Sequence, residues 1–253
     1  LKIEVRSSYE EVSRRASRFV AREIVSNPHP VLGLPTGNTP KQLYELLVKY
    51  HEEGLISFSE VETFNLDEYY PISGDDPRSF RHYMDKRLFS QVNIREQNVH
   101  IFDGETPRDE LDEHCNNYEE LIRDAGGIDL MVLGIGKNGH IGFNEPGVGF
   151  GSTSRLVQLK ESTRNRNFDE PAKAPDTALT MGIKTIMNSS RILLIASGEE
   201  KAEAVKHSIR GEVRDDYPAS VLQLHPEVSF VLDRKAAGKL DLNNSGARKV
   251  EII

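Results

Sequence analysis

The sequence predicts an α/β fold around a mostly parallel sheet, and two observations carry that expectation. Short runs rich in Val, Ile and Leu alternate with amphipathic stretches, the order of successive βα units. Several of the amphipathic stretches open on helix-start signals. The apolar runs place strands at 31–34, 61–66, 99–102, 130–135, 192–196 and 228–232.

Between them, Ser8 and Glu11 form a capping box before Tyr9, Val12, Ala16, Phe19 and Ile24, which share one helical face. Thr39-Pro40 sets a capping hydroxyl before a proline at the first helical position, followed by Leu43, Leu46 and Leu47. Residues 108–125 read as a long charged helix that Gly126-Gly127 ends. Ser197 and Glu200 repeat the capping box before Ala202, Val205 and Ile209. The segment 146–175 is weakly periodic and holds Gly147, Gly149 and Gly151, so it reads as a long excursion, a feature more often functional than idle. There is no internal repeat or linker. At 253 residues, a single domain spanning 1–253 with that excursion is expected.

Composition narrows the function. Lys and Arg number 32 against 40 Asp and Glu, a formal charge of −8. An acidic chain without a basic run disfavours a nucleic-acid partner. The longest apolar runs fall far short of the ~18 residues of a membrane helix. The lone Cys115 cannot pair within the chain, which suits a reducing, cytoplasmic location, and the first residues hold no signal-peptide core.

Ligands of parallel α/β sheets bind beyond the carboxyl ends of the strands, and four such ends are rich in chemistry. In Gly33-Leu34-Pro35-Thr36-Gly37-Asn38-Thr39-Pro40, a tight turn leads into a helix start, so backbone N–H groups and the Thr36 and Thr39 hydroxyls could cradle an anion. An ordinary βα turn is the plainer reading, and the Gly-Lys-Ser/Thr ending of a P-loop is absent. In Asn65-Leu66-Asp67-Glu68-Tyr69, Asp67 is a candidate general base with Glu68 facing elsewhere. The bland alternative is a helix cap followed by a solvated acid.

The third end, Gly134 to Gly147, contains a literal G-x-G-x-x-G after a strand. A dinucleotide site needs a helix there, and the following Gly142, Pro146 and Gly147 leave no room for one. What remains is a turn presenting His140 with Glu145, the pairing that acid–base catalysis uses. Scattered histidines and one cysteine give no zinc spacing. The fourth end, Ser197-Gly198-Glu199-Glu200-Lys201, sets a cation in the first helical turn, where the macrodipole disfavours it and a bound anion would relieve it, although a solvated lysine is the plainer reading of this segment alone.

At these four segments the sequence resembles the glucosamine-6-phosphate deaminase family, from about residue 31 to 233. The matching motifs are Leu34-Pro35-Thr36-Gly37-Asn38-Thr39-Pro40, Asn65-Leu66-Asp67-Glu68-Tyr69, Gly139-His140-Ile141-Gly142-Phe143-Asn144-Glu145-Pro146 and Ser197-Gly198-Glu199-Glu200-Lys201-Ala202. The resemblance implies a Rossmann-like, doubly wound sheet with a small lid over the active site, at about 146–175. It implies conversion of glucosamine 6-phosphate and water to fructose 6-phosphate and ammonia, in amino-sugar catabolism, with no metal and no organic cofactor. The partner it implies is a small sugar phosphate, and a homo-oligomer is compatible with it without being required.

Carried over by position, Asp67 matches the base that moves a proton between C2 and C1, His140 the ring-opening catalyst and Glu145 its supporting carboxylate. Thr36, Gly37, Asn38, Thr39 and Lys201 match the phosphate-holding positions, with Arg166 as the lid arginine, and Tyr118 matches a tyrosine near the site. Asn138 stands where some members carry an aspartate that assists the histidine; others carry asparagine after a basic residue, as Lys137 is here. On this reading Glu145 alone supports His140, and Asn138 only orients the ring or the turn. Residues 240–253 hold no tyrosine, unlike the tail of allosterically activated members, so such activation is not expected.

Two rivals remain open. A 6-phosphogluconolactonase shares the fold and a Gly-His turn, but needs neither the Phe143-Asn144-Glu145-Pro146 continuation nor Asp67. A non-catalytic sugar-phosphate sensor would carry a DNA-binding region and would have no use for Asp67, His140 and Glu145 together.

Overall fold

The structure, a computed structural model, describes residues 1–160 and 175–241. Strands β1 (Lys2–Arg6), β2 (Val31–Leu34), β3 (Glu62–Asn65), β4 (Asp67–Tyr70), β5 (Val99–His100), β6 (Leu130–Leu133), β7 (Arg155–Gln158), β8 (Thr177–Thr180), β9 (Arg191–Ala196) and β10 (Val228–Asp233) form two sheets. The larger has the order β1-β10-β9-β6-β2-β3-β5, and every pairing in it is parallel. The smaller is antiparallel, in the order β4-β8-β7, with Asp67 opposite Thr180.

Helices cover both faces of the parallel sheet, as side-chain alternation requires of strands that are buried on both sides. On one face α1 (Tyr9–Ser26), α2 (Lys41–Glu52) and α3 (Phe80–Arg87) pack Val12, Val20, Leu43, Leu47 and Met84 on Leu32, Leu34, Val132 and Leu193. On the other, α4 (Leu111–Asp124), α5 (Ile183–Met187) and α6 (Ala202–Arg210) pack Leu111, Ile122, Ile186 and Val205 on Val31, Met131, Leu133 and Leu194. This is the doubly wound arrangement. From β2 the chain winds outward to β3 and β5, then returns past β2 to β6 and winds the opposite way. The loops after β2 and β6 therefore diverge at that switch point, the place where open α/β sheets bind their ligands.

Six strands lie where the apolar runs put them. β1 and β8 were not anticipated, β4 continues what read as a strand end, and β7 lies within the expected excursion 146–175. Among the described residues, no helix is long and apolar enough to cross a membrane.

Candidate active site

Beyond β2, Pro35 is buried, Thr36 and Thr39 are half-buried, and Gly37 and Asn38 are exposed. Gly37 has φ +92°, a conformation that glycine adopts without strain, and a Cβ there would meet nothing within 4 Å. Its requirement is thus conformational rather than steric. Thr39 does not cap α2 as expected. Pro40 occupies the cap position without a side-chain bond, and the helix starts at Lys41.

Asp67 and Glu68 open the antiparallel strand β4, and both are buried, which overturns the reading of a solvated acid. Glu68 accepts N–H bonds from Tyr69, Phe80 and Arg81, each at 2.8 Å, so it anchors the first turn of α3. Burial lifts its carboxyl to about 7 against the pull of those donors. Burial lifts Asp67 further, to about 8, and the neighbouring Glu68 charge adds to the rise. A carboxyl poised there exchanges protons readily near neutral pH.

Asp67 borders the turn after β6. A Cβ on Gly142 would lie 3.8 Å from its Oδ2. No helix follows that turn, so the dinucleotide reading is excluded by geometry as well as by sequence. Gly136 N–H donates to His140 O at 2.9 Å, folding the turn back on itself and laying the His140 ring over Gly136. A Cβ on Gly136 would sit 2.2 Å from the imidazole Cε1, so the ring can lie there only because residue 136 has no side chain.

Asn138 stands between the histidine and the acid. Its Nδ2 donates to Glu145 Oε2 at 2.7 Å, and its Oδ1 lies 2.7 Å from His140 Nδ1. A carboxylate only accepts, so the amide nitrogen must face Glu145 and the oxygen must face the ring. That fixes Nδ1 as the protonated nitrogen and leaves Nε2 as the exchanging one in the neutral ring. Glu145 Oε1 is 3.5 Å from Nδ1, beyond hydrogen-bond range, while Lys160 Nζ lies 3.5 Å from Oε2. The expectation that Glu145 alone supports His140 is therefore corrected. Asn138 makes the nearer contact and relays the acid to the ring.

Lys201 lies in a 3₁₀ turn (Glu199–Lys201) immediately before α6, and its Nζ donates to Ile135 O at 2.7 Å. The carbonyl offsets the unfavourable helix-end position and ties the lysine to the start of the His140 turn. Ser197 is not a cap, since its hydroxyl donates to Asp233, which also accepts from Gly198 N and Ala236 N. Arg166 lies outside the described residues. Tyr118 is buried, and its hydroxyl lies within hydrogen-bond reach of Asn65 O and His100 O at the carboxyl ends of β3 and β5. Among the described residues, no group of three or more His, Cys, Asp or Glu could hold a metal ion.

The structure thus gathers Asn138, His140 and Glu145 into one hydrogen-bonded set, with Asp67 beside their turn and Lys201 anchored at its start. The loop 36–39 shares that carboxyl edge through the β2–β6 pairing. Sequence reasoning did not name two contributors, although glycines on both sides of His140 signalled a close backbone approach there. Thr180, opposite Asp67 across β4 and β8, accepts from Phe143 N at 3.1 Å and fixes the turn, and Gly136 makes room for the ring.

Residues 6–230 match the family described as glucosamine-6-phosphate isomerases/6-phosphogluconolactonase. A glucosamine-6-phosphate deaminase of Rhodopirellula baltica is 48% identical over 244 residues, covering 95% of this chain and 96% of its own. One from Clostridium acetobutylicum is 43% identical over 243 residues, covering 95% of this chain and 100% of its own. A solved monomeric glucosamine-6-phosphate deaminase has a TM-score of 0.91 at 43% identity, covering 95% of this chain and 100% of that one. A 6-phosphogluconolactonase from Trypanosoma cruzi has a TM-score of 0.75 at 21% identity, covering 95% and 97%, a likeness of fold alone. With the family matched over most of the chain and relatives this similar along nearly all of it, the chain belongs to the glucosamine-6-phosphate isomerase/6-phosphogluconolactonase family.

Proposed function

We propose that the chain is a glucosamine-6-phosphate deaminase, converting glucosamine 6-phosphate and water to fructose 6-phosphate and ammonia. The observation that carries this reading is the placement of a buried, high-pKa carboxyl, Asp67, beside a turn that holds an imidazole, an amide and a carboxylate in one set. The reaction needs two proton carriers of different kinds.

Ring opening moves a proton from the anomeric hydroxyl to the ring oxygen, a shuttle suited to His140 Nε2 with Asn138 and Glu145 behind it. Asp67 then removes the C2 proton of the open amino aldehyde to give an enolamine and returns it at C1. The resulting ketimine takes up water and releases ammonia, leaving the ketose. Lactone hydrolysis needs no C2 proton carrier, and a sensor needs neither device. Thr36, Gly37, Asn38, Thr39 and Lys201 hold the phosphate, with Arg166 added from the lid, and so orient the reacting carbons from a distance.

The same proposal takes the chain as one domain whose segment 146–175 acts as the lid, working in the cytoplasm. A free, buried Cys115 is in keeping with a reducing compartment. The test is release of ammonia and fructose 6-phosphate from glucosamine 6-phosphate, with galactosamine 6-phosphate and 6-phosphogluconolactone run beside it. Turnover of the lactone alone, or binding of the amino sugar without turnover, overturns the reading.

A further inference from the structure

Three helices on one face of the sheet each send a tyrosine hydroxyl to the loop after β2. Tyr44 of α2 donates to Pro35 O at 2.5 Å. Tyr83 of α3 donates to Gly37 O at 2.7 Å. Tyr9, the first residue of α1, shares its hydrogen between Thr39 O at 3.1 Å and Asn38 O at 3.3 Å. The Tyr9 oxygen also accepts from Gln42 N at 3.3 Å, which links the loop to the start of α2. Tyr44 and Tyr83 meet edge to face with ring centroids 6.5 Å apart, so two of the hydroxyls stand on one aromatic unit.

These contacts fix direction as well as position. A trans peptide points its C=O and the next N–H to opposite sides. Holding Pro35 O, Gly37 O and Asn38 O against the helices therefore turns the N–H groups of Thr36, Asn38 and Thr39 the other way, away from α1, α2 and α3. Among the described residues, no hydrogen bond engages the N–H of Thr36, Gly37, Asn38 or Thr39. A loop at an exposed Gly-Asn turn with positive φ would otherwise flip its peptides freely.

We infer that Tyr9, Tyr44 and Tyr83 are positioning residues for the phosphate subsite, holding the loop peptides so that their N–H groups converge on the anion. This rests on the assignment of residues 36–39 and Lys201 to the substrate phosphate. None of the three tyrosines touches the substrate. They act by having already organised the donors, so binding does not have to order the loop.

Tyr9→Phe and Tyr83→Phe, singly and together, keep the rings and remove the hydroxyls. Each single change is expected to raise KM for glucosamine 6-phosphate and the inhibition constant for inorganic phosphate by about fivefold, and the pair by more than tenfold. The kcat is expected to stay within about twofold, because the proton carriers are untouched. Tyr44 is fully buried and its truncation risks the fold, so the test does not depend on it.

Lys201→Ala is run in parallel as the report on the phosphate assignment itself. If Lys201→Ala weakens phosphate inhibition while the Phe variants leave it unchanged, the tyrosine inference is overturned and the subsite stands. If phosphate inhibition is unmoved in all variants, the subsite assignment fails and takes this inference with it. A loss of kcat and thermal stability with unchanged phosphate inhibition shows a merely structural role and also overturns the inference.

Discussion

Asn138 is a small residue with two obligations that only an amide meets. It gives a hydrogen to Glu145 and offers an oxygen to the His140 Nδ1–H, both at 2.7 Å. An aspartate has the same shape but no hydrogen to give. In Asn138→Asp the new carboxylate would face Glu145 at hydrogen-bond distance, and two such groups cannot both stay ionised, so the pair holds a proton to higher pH. The remaining negative charge beside Nδ1 stabilises the imidazolium and raises the histidine pKa. Both effects have one sign: the acidic limb of the kcat/KM profile for ring opening is expected to move upward. Glu145→Gln leaves no carboxylate behind the ring and is expected to lower kcat by about 100-fold or more. An unmoved profile in the first variant, with an active second, would show that this set does not serve His140. Lys201 gives a complementary result through its contact with Ile135 O, since Lys201→Ala is expected to raise KM strongly while kcat falls less.

At the scale of elements, the turn from Gly136 to Glu145 is held by backbone bonds, by the Asn138, Asn144 and Thr180 side chains, and by the absence of a side chain at 136. In Gly136→Ala the methyl would overlap the imidazole by more than an ångström, and the ring would have to leave its place over residue 136. Misplacement on that scale costs about 100-fold in rate. The expected outcome is a kcat loss of that order with phosphate inhibition intact, and near-normal turnover would show that the ring works from elsewhere.

The elements that were legible in the sequence are those decided locally. Ser8 caps α1 as its capping box predicts, with its hydroxyl accepting from Glu11 N, because both partners lie within one turn. Gly126 and Gly127, with φ +87° and +90°, follow α4 as their residue type implies. The failures have distant causes. Ser197 cannot cap because Asp233, at the end of another strand, takes its hydroxyl. β1 alternates Ile3 and Val5 with charged residues, and its Glu4 is buried in ion pairs with Arg6, two residues along the strand, and with Arg15, which reaches it from α1. β4, β7 and β8 are four residues each and exist by pairing through β8, whose Thr180 lies 25 positions from its β7 partner Arg155 and more than a hundred from its β4 partner Asp67. No local window contains that partner. The candidate site's residue types were legible, whereas the order in which Asn138 intervenes between His140 and Glu145 needed coordinates.

For the whole molecule, the decisive quantity is the free energy spent in burying Asp67. Its carboxyl rises from an ordinary 3.8 to about 8 on folding, chiefly through loss of water. A group that holds its proton more tightly when folded lends stability that is fully present below about pH 4. That contribution is lost as pH climbs toward 8, above which folding must bury the charge. Asp67→Asn keeps the shape and removes the titration, and it also spares Glu68 a charged neighbour. The variant is therefore expected to gain on the parent as pH rises from about 4 to 8, by at most about 1.4 kcal/mol for each pH unit, and to level off above that. Denaturant unfolding of both proteins at pH 5, 7 and 9 reads this directly. The same variant is expected to lose exchange of the C2 proton with solvent, since an amide is no base, while inorganic phosphate still binds. A more stable protein that no longer exchanges the proton is the signature of a site that trades stability for chemistry. A stability difference independent of pH would show that Asp67 is not held at high pKa, and near-normal deuterium entry into the sugar would show that it is not the proton carrier.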